Sequence, residues 1–312
     1  MSKPTPELEL TASASADAAA SALALRLLDV IEEQTPGTLA DRDPECLHDL
    51  RVAVRRTRSL QRELKKVFPK KDLKHFRREF RWLQQATGPT RDLDVYLIEF
   101  GDFAESIPAG QRPHLDVMRD LLEQQRVVTR AEMVEALESD RTQTMLADWR
   151  KLLDRLPSAA VGNRPHAARP IGDVAARRID RVFGQMVTMG SAIDDDSPHA
   201  ALHDLRKKGK ELRYLLEFFS PIFPADVTKP MVRRLKKLQD VLGRFQDREV
   251  QAAMISELRA EVGDPAAISA MDALISELHD QQAAARAEFG DRFAAFAAPE
   301  QRALAALTFR PD

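Results

Sequence analysis

Arg51, Arg55, Arg58 and Arg62 follow one another at intervals of three or four residues, with Lys65 one turn further on. At about 100° per residue, all five fall within about 40° of one helical direction and His48 within about 60°. Ala53, Thr57, Leu60, Leu64 and Phe68 fall on the opposite side. A helix here would bury one face and present the other as a cationic ridge, about 16 Å long from Arg51 to Arg62. Guanidinium groups grip phosphoryl oxygens in pairs, whereas an ammonium adds a compact point charge. The chemistry such a row could do is the binding of a large anion.

The pattern recurs. His48-Asp49-Leu50-Arg51 returns as His203-Asp204-Leu205-Arg206, 155 residues later, and the offset holds without a gap for 48 positions with 15 identities. Arg206, Lys210 and Arg213 are again in phase, opposite Leu205, Leu212, Leu215 and Phe219. This ridge is shorter, because Glu217 stands where the first copy has Arg62 and Ser220 where it has Lys65; Lys208 lies on the apolar side. The next helix of each copy carries a second stripe. Lys74, Arg78 and Arg81 oppose Phe76, Phe80 and Leu83, and Lys229, Arg233 and Lys236 oppose Met231, Leu235 and Leu238. Further candidates are His48, His203 and Lys65 at the ridge ends, Lys207 and Lys237 beside the stripes, and Arg26 and Arg181, themselves 155 apart.

A solvated helix face would look different. Opposite charges at i,i+4 support a helix, and like charges oppose one another by about 0.2–0.5 kcal/mol per pair, so the arginine row disfavours its own helix by roughly 1 kcal/mol. No acid lies in phase between Arg51 and Arg62 or between Arg206 and Arg213. The unrelieved pattern occurs four times in register, which favours an anion that neutralises it. Net charge hides this: the chain is −2 overall, but residues 48–91 hold 14 Lys/Arg against 4 Asp/Glu, and residues 203–248 hold 12 against 6. Two basic blocks sit in an otherwise acidic chain.

The elements that must position these cations read as helices throughout. Charged residues make up 31% and hydrophobic residues 44% of 312, glycine numbers only 12, and no segment reads as a convincing strand. Expected helices cover about 14–34, 44–68, 71–86, 92–106, 113–138 and 143–156, then 173–189, 198–220, 226–242, 247–261 and 265–298. Residues 1–13 read as a disordered start, 14–156 as a first helical half, 157–172 as a linker and 173–310 as a second half. The expected fold class is all-α: two pseudo-symmetric helical bundles with a basic groove between them. The single Cys46 excludes an intramolecular disulfide and a thiolate-rich zinc site within one chain. No apolar run reaches the length of a membrane span and no secretory signal is evident, so no membrane partner is expected and the cytoplasm is the expected location.

The segment His-Asp-Leu-Arg-Val-Ala-Val-Arg-Arg-Thr-Arg at 48–58 resembles the signature of the CHAD domain, the conserved histidine α-helical domain. His-Asp-Leu-Arg-Lys-Lys-Gly-Lys-Glu-Leu-Arg-Tyr at 203–214 resembles its second copy, and Leu238-Gln-Asp-Val-Leu-Gly followed by Asp247 resembles the segment after it. The resemblance covers essentially residues 14–310. It implies two pseudo-symmetric bundles and a basic surface or channel between them that binds inorganic polyphosphate. It further implies targeting to polyphosphate granules or their organisation, with granule-associated proteins as candidate partners. Some relatives carry an N-terminal CYTH triphosphatase domain; Glu7-Leu8-Glu9-Leu10 is similar to its opening motif but is followed by Thr11 rather than lysine. No such domain is expected here.

Alternatives remain open at this point. Structured RNA or other nucleic acid could be held through its phosphates, but aromatics are only 6% and the basic faces lack the interleaved rings that stack bases. A metal-dependent phosphohydrolase would need a carboxylate cluster. The only paired acids in the repeat, Asp92, Asp94, Asp247 and Glu249, suit capping of the helices they precede. His199 and His203 are four apart, a spacing that can bind a metal, but no glutamate follows His199 as the zinc-protease pattern requires. No catalytic residue, metal site or cofactor is expected.

Overall fold

The computed structural model describes residues 10–310. The first half runs α1 (Ala16–Leu39), α2 (Pro44–Glu63), α3 (Lys70–Ala86), α4 (Gly88–Ile98), α5 (Phe100–Glu105), α6 (Asp116–Glu138) and α7 (Asp140–Arg155). The second half runs α8 (Ile171–Ser191), α9 (His199–Phe219), α10 (Ala225–Arg259), α11 (Pro265–Phe296) and α12 (Pro299–Phe309). The fold is all-α. Among the described residues the β-type pairing is an isolated bridge between Ser15 and Pro170.

Local chemistry starts the helices that matter most. Asp43 caps α2 by accepting from the Glu45 N–H at 2.9 Å, with Pro44 at the first helical position. Once α2 is set, Leu50, Ala53, Val54, Thr57 and Leu60 are buried along one side, and the arginines must face away. Helix α3 does the same with Leu73, Phe76, Phe80 and Leu83. Phe68, Phe76 and Phe80 gather around Trp149 of α7, with ring centroids 4.7–5.7 Å away. Small side chains let α1 approach closely: Ala16, Ala19, Ala20 and Ala24 are all buried.

One hydrophobic cluster draws on both halves, from Leu28 and Phe68 to Phe219 and Phe296. A second joins α4, α5 and α6 to α10 and α11 through Leu93, Phe103, Met118, Ile255 and Leu274. The cation-bearing helices are thus anchored to a core that crosses the midpoint of the chain.

Several segments depart from the sequence expectations. Helix α1 passes through Pro36 to Leu39 instead of stopping at residue 35. Helix α10 runs unbroken across Gly243, where two helices were expected. The reason lies in the following residue. Gly88 precedes Pro89, which has no N–H to continue α3, whereas Gly243 precedes Arg244, and Val241, Leu242 and Phe245 continue one buried face. Asp92 and Asp94 lie inside α4, and Asp247 and Glu249 inside α10, so none of them caps a helix. Each takes an electrostatic partner: Asp94 binds Arg126 at 2.6 Å, Asp247 binds Arg206 at 2.7 Å, Glu249 binds His199 at 2.8 Å, and Asp92 lies near Arg51.

Residues 157–172 connect the two halves and are themselves packed. Arg164 is 2% exposed and donates to the Val67, Leu156 and Ala160 carbonyls and to Asp17. Ile171 N–H donates to Ala14 O, and Gly172 N–H to Ala12 O at 2.9 Å. Residues 10–13 are thereby held, with Leu10 against the core. The remainder of the expected disordered start, including Glu7, Leu8 and Glu9, lies outside the described residues.

Arg164→Ala leaves buried carbonyls and Asp17 without their donor. It is expected to lower unfolding stability by about 3–5 kcal/mol, read from the urea midpoint, with little loss of helical circular dichroism before the transition.

Candidate anion-binding cleft

Helices α2 and α9, which carry the first stripe of each copy, pack against each other. With α3 they enclose a cleft of about 230 Å³. The first half lines it with Arg55, Arg58, Arg62, Arg77 and Arg81, together with Ser59 and Gln61; the second half adds Lys207, Lys210 and Tyr214. No carboxylate is among the lining side chains.

Burial and like charge act together here. Arg58 is held below the ordinary guanidinium range first by burial, then by Arg81, Arg62 and Arg77. Burial, then Arg206 and Arg55, pushes the Lys210 ammonium down to about 8. Arg58 and Lys210 thus lack enough water and enough counter-charge, the condition that an entering polyanion would relieve, whereas Arg62 pairs with Glu63 at 2.6 Å and Lys207 with Asp204 at 3.0 Å.

Arg77 and Arg81 also border a larger, open shelf of about 1060 Å³. Lys65, Lys66, Lys70, Lys71, Lys74 and Arg78 line the shelf, with Phe68 and Leu73 also part of its wall. On the other side, Arg62, Lys65, Lys66 and Arg77 reach a third basin of about 640 Å³, bounded by His166, Arg177, Arg178 and Arg181 and by the acids Glu63 and Glu211. Cleft, shelf and basin therefore share walls and form one cationic track.

The cations singled out from sequence divide into groups. Arg55, Arg58, Arg62, Arg81, Lys207 and Lys210 line the cleft. Lys65, Lys74 and Arg78 line the shelf, and Arg181 the basin. Arg51, although in phase, turns to the end of α3: its Nη1 donates to Gln84 O at 2.9 Å and to the Thr87 hydroxyl at 3.0 Å. Burial brings its pKa to about 10 while nearby Asp92 opposes the shift. Arg206 pairs with Asp247, and Arg213 with Glu217 at 3.3 Å. The second ridge is thus partly relieved by acids, one from its own helix and one from α10.

Lys229, Arg233, Lys236 and Lys237 are exposed on α10, but line none of these three cavities. Arg26 is partly buried away from them. His203 bonds Gln246, and His48 is partly buried, its pKa lowered by burial and then by Arg91. His199 is held by Glu249. Among the described residues, no three His, Cys, Asp or Glu side chains gather where they could hold a metal ion.

Sequence reasoning did not reach several lining residues. Lys70, Lys71 and Arg77 belong to α3 and fall within about 60° of Lys74 on its wheel, so their direction is legible in the sequence, whereas Lys66 lies between α2 and α3, outside both helices. Arg177 lies one turn before Arg181 on α8, a spacing that does show in the sequence.

Two ion networks hold the halves in register beside the track. Arg56 of α2 bonds Glu217 of α9 at 2.8 Å. The buried Glu63 binds Arg178 of α8, which also binds Glu211 of α9 at 2.6 Å. Lys208 completes this group at 2.9 Å from Glu211, which accounts for a lysine on the apolar side of α9.

The CHAD domain family model matches residues 22–256. An uncharacterized protein of Mycobacterium tuberculosis, found in two strains, is 28% identical over 216 residues, covering 66% of this chain and 39% of its own. The chain thus corresponds to well under two thirds of that relative's length. The crystal structure of the CHAD domain from the plant Ricinus communis superposes with a TM-score of 0.79 at 24% identity, covering 95% of this chain and 96% of that one. PptA from Streptomyces chartreusis gives 0.69 at 15% identity, covering 89% and 99%.

Lys210 yields a test of the crowding. Below about pH 8 it is charged both folded and unfolded, so the folded state carries the full penalty. Between about 8 and its ordinary 10.5 the unfolded chain holds more protons, and stability rises with pH. Ligand-free Lys210→Met is expected to melt at higher temperature than wild type at pH 7. The difference should shrink as pH climbs through that window, as followed by thermal scans.

Proposed function

The chain belongs to the CHAD domain family, and from that membership and the cationic track we propose that it binds inorganic polyphosphate without catalysing its turnover. One observation carries the reading: the carboxylate-free cleft opens through Arg77 and Arg81 onto a lysine-lined shelf. Polyphosphate is a flexible chain with about one charge per unit and no bases. It can thread a narrow cleft and lie along an open shelf, exchanging its counterions for fixed cations as it does so. Arginine dominates in the cleft, where bidentate hydrogen bonding to phosphoryl oxygens is useful; lysine dominates on the shelf, where point charges suffice.

The residues proposed to bind are Arg55, Arg58, Arg62, Arg77, Arg81, Lys207 and Lys210 in the cleft, with Lys65, Lys66, Lys70, Lys71, Lys74 and Arg78 on the shelf. Arg51 and Arg206 act as ties that orient α2 and α9. Arg213 contributes to the field from beside the cleft. The exposed α10 cations, Lys229, Arg233, Lys236 and Lys237, would extend binding only for chains long enough to leave the track. Targeting to polyphosphate granules, with proteins found there as partners, follows as the cellular role.

Phosphate-backbone binding of structured RNA is the second reading, favoured by the open shelf alone. Against it, Phe68 and Tyr214 at the track are buried rather than displayed for stacking, which leaves the imidazoles of His75 and His166 as the rings accessible there.

Long polyphosphate is expected to bind more tightly than tripolyphosphate, with an affinity that falls steeply with salt. Equal affinity for the two would rule out a shared track. In competition at physiological salt, duplex DNA and structured RNA should displace it poorly; preference for either would favour the second reading. Arg58→Glu combined with Arg213→Glu should weaken binding by more than about tenfold while helicity is kept. Unchanged binding would reduce the stripes to solvated faces.

A further inference from the structure

Between its cations the narrow cleft holds uncharged polar groups that nothing else in the fold uses. Tyr214 is 4% exposed and Gln61 is fully buried, and both line the cleft. The Tyr214 hydroxyl, both ends of the Gln61 amide and the Nε of Arg55 have no hydrogen-bond partner among the described residues. Leaving a buried polar group unpaired destabilises the fold. Four such atoms around one small opening call for partners from outside the chain. The hydroxyl, the amide nitrogen and Nε are all able to donate, and phosphoryl oxygens accept.

Size adds a second constraint. Sites for drug-sized ligands enclose about 300–1,000 Å³, and a nucleotide is of that size. The cleft, at about 230 Å³, is smaller, while the shelf at about 1060 Å³ is not.

Resting on the polyphosphate reading, we infer that the cleft is a selectivity subsite. Tyr214 and Gln61 donate to an unesterified run of phosphoryl groups seated among Arg55, Arg58, Arg62 and Lys210, and phosphates that carry a sugar are kept to the shelf. The cations supply attraction that any polyphosphorylated ligand can use. The buried neutral donors reward only a ligand thin enough to reach them. Discrimination against nucleotides and nucleic acid then arises from shape and buried hydrogen bonding rather than from charge.

The test measures dissociation constants of the full chain by calorimetry for tripolyphosphate, ATP and long polyphosphate. The variants are Tyr214→Phe, which keeps the ring, and Gln61→Met, which keeps the volume. Wild type is expected to bind tripolyphosphate at least about tenfold more tightly than ATP, although both carry three phosphoryl groups. Tyr214→Phe should weaken tripolyphosphate about tenfold, the loss of one hydrogen bond to a charged group. It should leave ATP within about twofold and raise the ligand-free melting temperature, because the variant no longer buries an unpaired hydroxyl. Gln61→Met should act in the same direction. ATP binding as tightly as tripolyphosphate would overturn the subsite, as would variants without effect while long polyphosphate still binds; either result leaves the broader reading standing. Failure of wild type to bind long polyphosphate would overturn both.

Discussion

The crowding of half-buried cations where α2 meets α9 is the constraint around which this protein is organised. Arg55 and Lys210 face each other across the contact, and Arg58 is pressed by Arg62, Arg77 and Arg81. Left alone, such a contact would push the helices apart. It holds because the opposite faces of the same helices lie in a core shared between the halves, and because ion pairs beside the cleft and in the basin bridge the helices. Glu217 reaches Arg56 across the contact, and Glu63 and Glu211 share Arg178. The acids do not line the cleft but stand at its margin, where Glu63 pairs with Arg62 and Asp204 with Lys207, so that Arg55, Arg58, Arg77, Arg81 and Lys210 carry most of its open charge.

This division explains why the two copies are not equivalent. Position 62 is arginine in the first copy, and its counterpart 217 is glutamate in the second. A matching arginine there would have lengthened the second ridge; the glutamate instead ties it to the first half. The lysines that would extend a symmetric track lie exposed on α10, whereas those of α3 border the shelf. The cationic surface is therefore weighted to one side, with a narrow arginine-rich interior leading to a broad lysine-rich exterior.

Much of this was legible from sequence. The stripes on α2, α3 and α9 were readable because helical periodicity is local: once Leu60 and Phe80 are buried, Arg58 and Arg81 must face elsewhere. The all-helical class followed from the same periodicity. The break in α10 was misjudged because Gly243 was read by analogy with Gly88, without weighing the proline that follows only the latter. The sequence marks 157–172 as the connection between the halves but does not show that Arg164 fixes it through the Val67 and Leu156 carbonyls. Arg51 looked like its neighbours on the wheel, yet its partners are on α3. A wheel shows direction around one helix axis and nothing about what lies opposite.

By itself, then, the sequence determined which residues turn inward and which outward on each helix, and that basic blocks recur at a fixed spacing. Those are consequences of short-range geometry and of where apolar side chains can be hidden. Only the tertiary structure decided which outward cations converge. It turned Arg51 and Arg206 into structural ties, brought Arg77, Lys66, Lys70 and Lys71 into the track, and set Tyr214 and Gln61 among the arginines. That depends on how helices far apart in the chain cross and pack, and no local pattern encodes it.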